Sequence, residues 1–253
     1  EGGYTDKRRP TEVAFVQHLD EDLSRRDFTI NAIAMDGAGT IIDPFDGQSD
    51  IKKKIIRTVG TPTERFNEDA LRLLRTVRFA TTLDFDIEPE TRKALIQHAP
   101  WLKAISHERI RDEFIKIIEA EKAYEGILLL EDTGLLAHIL PELREGIGVT
   151  QNLHHIYTVW EHNTRALKYC AEKKYSFIVR LASLCHDIGK PRTKRGEGLH
   201  STFYGHDVVG ARMVAEALTR LKFPKDILEP IVTLVRYHMF YYNVGEVTES
   251  SVR

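Results

Sequence analysis

The rhythm of hydrophobic and polar positions changes near residue 48. Before it, short apolar runs at 13–16 and 41–42 are bounded by turn residues such as those at 36–39 and 44–47, a pattern typical of strands. After it, apolar residues recur at the three- and four-residue spacing of a helix, as in Ile110, Phe114 and Ile117. The pattern predicts an α+β protein that is mostly α-helical. Helices are expected from 67, 88 and 106 and over 123–133, 135–140, 154–171, 177–189, 207–221 and 225–239, with a linker at 146–153.

Two stretches before the helical part are harder to interpret. Residues 23–36 begin with a helical rhythm, in which Ala32, Ile33 and Met35 are the apolar positions and Asp27 lies near the start. Residues 51–59 fit either a short helix or a strand.

The helix predicted to begin at Asn67 carries candidate chemistry. Its run 67–80 contains no Gly or Pro, and Asp69 falls in its predicted first turn. Asp69, Arg72 and Arg75 would share one face, whereas Arg78 would lie on another. A carboxylate that accepts beside a guanidinium that donates matches cytosine and adenine, which pair an amino donor with a ring-nitrogen acceptor, and rejects guanine and uracil. Taken alone, however, the helix is better explained by an ordinary surface ion pair.

A second polar cluster, at 25–31, precedes this helix. Its arginines suit phosphate oxygens, and Asp27 and Asn31 suit ribose hydroxyls. A charged helix N-terminus with a capping Asp explains the same residues equally well.

Composition narrows the class of protein. The 253 residues carry a formal net charge of −2, so any nucleic-acid site must be a local patch. Basic clusters at 7–9, 25–26, 52–54 and 190–195 are individually typical of solvated surface. The two cysteines lack metal-site spacing and suggest buried thiols in a reducing cytosol. With no membrane-length apolar run and no signal peptide, we expect a cytoplasmic protein without a membrane partner.

The order of four motifs resembles a known family. RRDFTINAIAMD (25–36), DPFDG (43–47), EDALRLLRTVRFA (68–80) and SHERIRDEF (106–114) are similar to those of class II tRNA nucleotidyltransferases and bacterial poly(A) polymerases. The resemblance implies the end of a polymerase-β-like head at 1–57 and a nucleotide- and RNA-binding helical neck at 58–122. It further implies a body or linker at 123–151 and a truncated, all-α HD domain at 152–253.

The resemblance also implies roles for particular residues. Asp69 and Arg72 would form an amino-acid template that reads C and A, in agreement with the hydrogen-bond argument above. Residues 106–113 would support the neck. The full set of implied nucleotide-binding residues is Arg26, Asp27, Asn31, Asp69, Arg72, Arg75 and Arg78, with Asp27 near the ribose, Asn31 near the triphosphate, and Arg75 and Arg78 approaching phosphates or bracing the pocket.

One departure limits the expected activity. The family holds its catalytic Mg²⁺ with two acidic residues on a strand before the 25–36 motif, which two-metal phosphoryl transfer requires. Nothing before Arg25 matches that strand, and residues 1–6 resemble the flexible loop that follows it. We therefore expect no catalytic residue for nucleotidyl transfer in this chain, which would bind nucleotide but not polymerise alone.

Histidines recur on successive predicted helices of the C-terminal half. Imidazole with carboxylate suits a divalent transition metal, and His186–Pro191 resembles the signature of HD-domain phosphohydrolases. The implied metal ligands are His162, His186, Asp187, His206 and His238. The family's last Asp ligand follows the fourth His at a distance that Glu249 does not match. His154, His155 and His200 are interpreted as surface residues.

The sequence thus predicts a tRNA nucleotidyltransferase that adds C and A to tRNA 3′ ends from CTP and ATP with Mg²⁺, fused to an HD phosphohydrolase module that holds a transition metal. A poly(A) polymerase or an A-adding enzyme of the same family is the alternative. Hypotheses of another class are a stand-alone HD phosphohydrolase and a non-catalytic RNA-binding fragment. The oligomeric state is left open.

Overall fold

The computed structural model describes residues 18–152 and 156–239. The predicted strand at 13–16, the segment 1–6, His154, His155 and Glu249 lie outside these ranges. The first part contains little regular structure. Its elements are α1 (Leu19–Ser24), a 3₁₀ turn (Thr29–Asn31), β1 (Ala34–Met35), β2 (Ile41–Ile42), α2 (Gly47–Lys53) and β3 (Ile55–Ile56).

The strand predicted at Ile41 is confirmed, and it pairs antiparallel with β1 across the predicted turn. Asp36 closes that turn, because its carboxylate accepts hydrogen bonds from the backbone N–H groups of Ala38 and Thr40 at 2.9 and 2.8 Å. The helical rhythm expected for 23–36 is wrong: only the end of α1, at Leu23 and Ser24, and the 3₁₀ turn are helical, and Met35 lies 72% exposed on a strand. Residues 51–59 contain both of the structures considered, the end of α2 and then β3.

A set of helices follows, with a break between α3 and α4. The segment predicted as the neck contains α3 (Pro62–Glu68), α4 (Leu71–Leu83), β4 (Asp86–Ile87), α5 (Pro89–His98), a 3₁₀ segment (Ala99–Ala104) and α6 (His107–Glu119). The segment predicted as the body or linker contains α7 (Ala123–Asp132), α8 (Leu136–Ile139) and α9 (Pro141–Arg144). Strand β4 pairs parallel with β3 and so joins the neck to the preceding domain.

The single helix predicted from Asn67 is wrong, because the chain leaves helical geometry at Asp69, where φ is −148° and ψ is 104°. One oxygen of the Asp69 carboxylate accepts the backbone N–H of Leu71 at 3.0 Å, and both oxygens face Arg109. A side chain that bonds its neighbouring backbone competes with the helix. The break places Asp69 before α4 rather than within its first turn.

The C-terminal half is helical, as predicted. It comprises α10 (Val159–Glu172), α11 (Phe177–Cys185), α12 (Lys190–Thr193), α13 (His206–Arg220) and α14 (Lys225–Tyr237). The first of these begins at Val159 rather than near 154, because Thr158 and Glu161 form a capping box.

One hydrophobic core runs from Phe66 in α3 to Val235 in α14 and so unites the neck with the C-terminal helices. Arg180 reinforces this connection from α11. Its buried guanidinium donates to the carbonyls of Ile118, Glu119 and Ala120, at 3.2, 2.9 and 2.9 Å, at the end of α6. Within the described ranges, no helix has the length and apolar character needed to cross a bilayer.

Candidate nucleotide pocket and candidate metal centre

A cavity of about 560 Å³ lies between the 25–31 segment, α4 and α6. Six of the seven nucleotide-binding residues expected from the sequence line it, and Arg78 does not. The lining residues are Arg25, Arg26, Asp27, Asn31, Asp69, Leu71, Arg72, Arg75, Phe79 and Arg109. Asp69, at the break between α3 and α4, and the 25–31 segment thus line the same cavity although they are distant in sequence.

Asp27 anchors the wall of the cavity formed by the 25–31 segment. It is only 8% exposed, and its Oδ1 accepts hydrogen bonds from the Phe28 backbone N–H and from Asn31 Nδ2 at 2.9 and 3.0 Å. Its Oδ2 receives Arg75 Nε and Nη2 at 2.8 and 2.6 Å. Arg75 therefore ties α4 to the 25–31 segment. Arg26 pairs instead with Asp22 at 2.6 Å and remains about half exposed.

The side chains of Asp69 and Arg72 do not form the surface ion pair that explained them best in isolation. Asp69 pairs with Arg109 of α6, at 2.7 and 3.3 Å. Arg72 donates to Glu68 at 2.6 Å and to the carbonyl of Arg25 at 2.9 Å. The Asp69 carboxylate and the Arg72 guanidinium are therefore held by different partners, and both line the cavity.

Arg109 was not expected from the sequence as a lining residue. The only signal for it was its place in the 106–114 motif, where the predicted role was a supporting helix. Arg78 lies behind the cavity: its Nε donates to Glu113 at 2.9 Å, and its guanidinium lies 3.5 Å from the centre of the Phe79 ring. Of its two predicted roles, this position favours bracing over phosphate contact.

The five expected metal ligands meet at one point in the C-terminal helices. His162 comes from α10, His186 and Asp187 follow α11, His206 begins α13, and His238 caps α14. Asp187 Oδ2 lies 3.4 Å from His162 Nε2 and 3.3 Å from His186 Nε2. Asp187 Oδ1 lies 3.2 Å from His206 Nε2 and 3.4 Å from His238 Nε2. One carboxylate is thus flanked by two histidine pairs.

The histidines present the donor set that a metal requires. The Nδ1 atoms of His186, His206 and His238 lie 2.7, 2.8 and 2.7 Å from the carbonyls of residues 183, 203 and 235. A proton on Nδ1 leaves Nε2 as a free ligand. The Nε2 atoms lie 3.0 Å apart in the 162–186 pair and 3.1 Å apart in the 206–238 pair. Adjacent nitrogen ligands of one ion, each about 2.1 Å from it, are separated by about 3 Å, so each pair fits one cation.

Electrostatics keep the carboxylate ionised at this centre. Burial raises the pKa of Asp187, but when protons rather than a cation occupy the Nε2 atoms, hydrogen bonds from His186, His206 and His238 outweigh burial and hold the pKa well below its ordinary value. Burial lowers the pKa of His238, yet its hydrogen bond to Asp187 prevails and raises the pKa.

Lys190 also reaches the centre and was expected only as part of a basic surface cluster. That expectation is wrong, because Lys190 is buried. Its Nζ lies 2.7 Å from Asp187 Oδ2 and 2.7 Å from Gln151 Oε1. The signal for it was the three-residue spacing from Asp187, which places the two side chains on the same side of a helical turn.

Comparison with known proteins gives the family of the chain. The model of the poly(A) polymerase head domain matches residues 1–57, a probable RNA- and SrmB-binding site of polymerase A matches 84–147, and the HD domain matches 153–251. The chain belongs to the tRNA nucleotidyltransferase and poly(A) polymerase family. Members of this family are nucleotidyltransferases, and the chain matches the models of their head domain, of a probable RNA-binding site and of an HD domain.

Three similar proteins illustrate the relationship. An A-adding tRNA nucleotidyltransferase of Deinococcus radiodurans is 42% identical over 236 residues, which are 90% of this chain and 54% of that protein. A CCA-adding enzyme of Geobacillus thermodenitrificans is 53% identical over 145 residues, 57% of this chain and 36% of that enzyme. The crystal structure of the Bacillus stearothermophilus CCA-adding enzyme in complex with CTP superposes with a TM-score of 0.61 and 29% identity, covering 94% of this chain and 52% of the enzyme. The chain therefore spans about half the length of this A-adding enzyme and about a third of this CCA-adding enzyme.

Proposed function

We propose that this chain forms the nucleotide-selecting and RNA-binding part of a nucleotidyltransferase that adds C and A to tRNA 3′ ends from CTP and ATP. The observation that carries the proposal is that Asp69 and Arg72, held by different partners, line the same cavity as Asp27 and Asn31. The Asp69 carboxylate can accept a hydrogen bond and the Arg72 guanidinium can donate one. Cytosine and adenine match this pair, because each has an amino donor beside a ring-nitrogen acceptor, whereas guanine and uracil would leave polar groups unpaired.

The remaining lining residues support binding of a triphosphate. Arg25, Arg26 and Arg75 surround the cavity near Asp27, and guanidinium groups suit phosphate oxygens. Mg²⁺ is proposed to accompany the triphosphate. We assign no residue of this chain to that ion, because the acidic pair that holds it in the family has no counterpart before Arg25.

Binding of ATP, CTP, GTP and UTP to the purified protein tests the proposal. ATP and CTP should bind at least about tenfold more tightly than GTP and UTP, about 1.4 kcal/mol, and Asp69→Ala should abolish this difference. Asp132→Ala is the matched control, since Asp132 also pairs with an arginine, Arg92, but lies outside the cavity. Selectivity that survives in Asp69→Ala would contradict the template role.

Addition of A alone is the second candidate for this site. The match to the A-adding enzyme continues over 90% of the chain, whereas the match to the Geobacillus CCA-adding enzyme covers 57%. Joining this chain to a head segment of a relative that carries the acidic pair, and incubating the product with CTP, ATP and tRNA that ends in CC or lacks all three nucleotides, separates the two activities. Extension of both tRNAs supports CCA addition, and extension of the CC-ending tRNA alone supports A addition.

For the C-terminal helices we propose a metal-dependent phosphohydrolase. Two groups of residues that share Asp187 would hold divalent transition-metal ions: His162 with His186, and His206 with His238. A cation bound there would activate water for attack on a phosphate ester. Water then adds to phosphorus, the ester P–O bond breaks, and the departing oxygen takes the proton. Lys190 holds Asp187 Oδ2 in place through its 2.7 Å contact.

Metal analysis of the purified protein after loading with Mn²⁺ or Zn²⁺ tests this second proposal. We expect two ions per chain, with nearly complete loss in Asp187→Ala and loss of one ion in His206→Ala. His200→Ala is the control, because His200 is an exposed histidine outside the centre. A single ion in the wild type, lost on replacement of any of the four histidines, would contradict the two-ion arrangement.

A further inference from the structure

A second cavity, of about 450 Å³, opens directly beside the candidate metal centre. It lies between three helices and is lined mainly by apolar side chains: Ala166 of α10, Val179 and Ala182 of α11, and Leu234 and Tyr237 of α14. Its volume lies within the range of about 300–1,000 Å³ found for small-molecule sites. The nucleotide pocket described above shares no lining residue with it.

The cavity and the metal centre share two residues. His186 and His238, whose Nε2 atoms face Asp187, also form part of the cavity wall. The side chains of Asp187 and His206 are 3% and 9% exposed, so the middle of the centre is nearly closed. Those of His162, His186 and His238 are 32%, 18% and 15% exposed. The cavity gives a ligand access to His186 and His238, whereas His162 lies outside its lining.

The chemistry of the wall restricts what the cavity can accept. Apart from the two imidazoles, none of its described lining residues carries an ionisable acid or a basic group that is charged at neutral pH. The Ser183 hydroxyl already donates to the carbonyl of Arg180 at 2.9 Å. The hydroxyls of Thr233 and Tyr237 are the other polar groups of the described lining, and a charged group placed here would lose its hydration without an opposite charge to replace it, which is costly. A flat aromatic group would bury its faces against Ala182, Leu234 and the neighbouring residues.

We infer that this cavity is the subsite for the nucleobase of a nucleotide whose phosphate lies at the metal centre, and that it accepts the base without reading its hydrogen-bonding edge. The inference rests on the proposed phosphohydrolase function and specifies its substrate class. Stacking and apolar contact tolerate any base because every base has a π face. The C-terminal site thus differs from the nucleotide pocket, where Asp69 and Arg72 are placed to discriminate.

Binding to the Co²⁺-loaded protein tests the subsite, because the visible absorption of Co²⁺ reports ligands that reach the metal. The probes are adenosine 5′-monophosphate, cytidine 5′-monophosphate and ribose 5-phosphate, which share a phosphate and a ribose and differ in the base. We expect the two nucleotides to bind within about threefold of each other, and ribose 5-phosphate to bind at least about tenfold more weakly, because base stacking contributes about 1–3 kcal/mol.

A charged substitution in the wall provides the second measurement. Leu234→Asp should retain the Co²⁺ spectrum, weaken both nucleotides about tenfold, and leave ribose 5-phosphate unchanged. Leu83→Asp is the matched control, because Leu83 is 43% exposed and Leu234 is 44% exposed, but Leu83 lies at the end of α4.

The outcomes separate the inference from the function on which it rests. A wild-type protein without a Co²⁺ spectrum, or with one that His186→Ala does not alter, overturns the metal-dependent function. A spectrum that responds equally to ribose 5-phosphate and to the nucleotides overturns the subsite alone. A preference of more than about tenfold for one nucleotide overturns the claim that the base is not read.

Discussion

At the scale of single residues, Asp69 determines the geometry of the nucleotide pocket. Its carboxylate accepts the backbone N–H of Leu71, and this local bond accompanies the break between α3 and α4. Arg109 then holds both carboxylate oxygens from α6. A residue expected to lie on a helical face therefore lies at a junction, where its orientation depends on a partner 40 residues away.

The pair formed by Asp69 and Arg109 leads to the first prediction. Arg109→Lys keeps the charge but loses the forked geometry that contacts both oxygens of Asp69. We expect the preference for ATP and CTP over UTP to fall about tenfold, equivalent to about 1.4 kcal/mol, in nucleotide-binding titrations. Arg111→Lys on the same helix is the control, because Arg111 lies outside the cavity lining. A preference equal to that of the wild type in Arg109→Lys would show that Asp69 keeps its orientation without the fork.

The sequence allowed the residues of both sites to be predicted better than their contacts. The spacing of Asp69 and Arg72 and the hydrogen-bonding order of cytosine and adenine suggested a template, and the resemblance to the family favoured it over a surface ion pair. The contacts that fix each residue separately could not be predicted, because Arg109 and the carbonyl of Arg25 approach only after folding. Likewise, the basic cluster that contains Lys190 is typical of a solvated surface, but the Lys190 ammonium group contacts Asp187 and Gln151.

At the scale of elements, regular periodicity predicted the long helices, and the short elements were the source of the errors. Helices α6 and α7 follow the expected pattern because their apolar faces pack into the core. The 23–36 segment does not, because its conformation is determined by neighbours: Thr29 bonds to Asp50 at 2.7 Å, and its backbone N–H donates to the carbonyl of Arg57 at 2.9 Å. The spacing of apolar residues within the segment contains no information about such distant partners.

Gly47 shows how closely these elements approach. A Cβ atom added at this position would lie 2.2 Å from the carbonyl oxygen of Thr29, which no rotamer change can relieve. Gly47→Ala should therefore displace α2 from the 3₁₀ turn that carries Asn31 and destabilise the protein by about 1–3 kcal/mol. Urea denaturation measures the loss, and ATP binding should weaken in parallel. Gly37→Ala, at which a Cβ would meet no atom within 4 Å, should change neither property.

At the scale of the whole molecule, the continuous core makes the neck and the HD domain one packed unit. Two polar links supplement it. Arg180 connects α11 to the end of α6 through three carbonyls, and Arg220 of α13 donates to Glu142 of α9 at 2.6 and 2.9 Å. The nucleotide pocket and the metal centre are therefore carried by helices that share side-chain packing. We infer that a change in stability caused at one of these links affects the unit as a whole.

Glu142 makes this inference testable through pH. Burial raises the pKa of Glu142, but its hydrogen bonds with Arg220 outweigh burial and lower the pKa below the ordinary value of 4.5. A carboxyl whose folded-state pKa is depressed stabilises the protein above its unfolded pKa, and this contribution is lost as the pH falls through the folded pKa. The free energy of unfolding should therefore decline below pH 4.5 more steeply in the wild type than in Glu142→Gln. At pH 7 the variant should be less stable by about 1–3 kcal/mol, since a charged hydrogen bond is lost.

Glu229→Gln, an exposed position on α14, is the control. Urea denaturation between pH 7 and pH 3 measures all three proteins, and parallel curves for the wild type and Glu142→Gln would show that the link to Arg220 does not contribute to acid sensitivity.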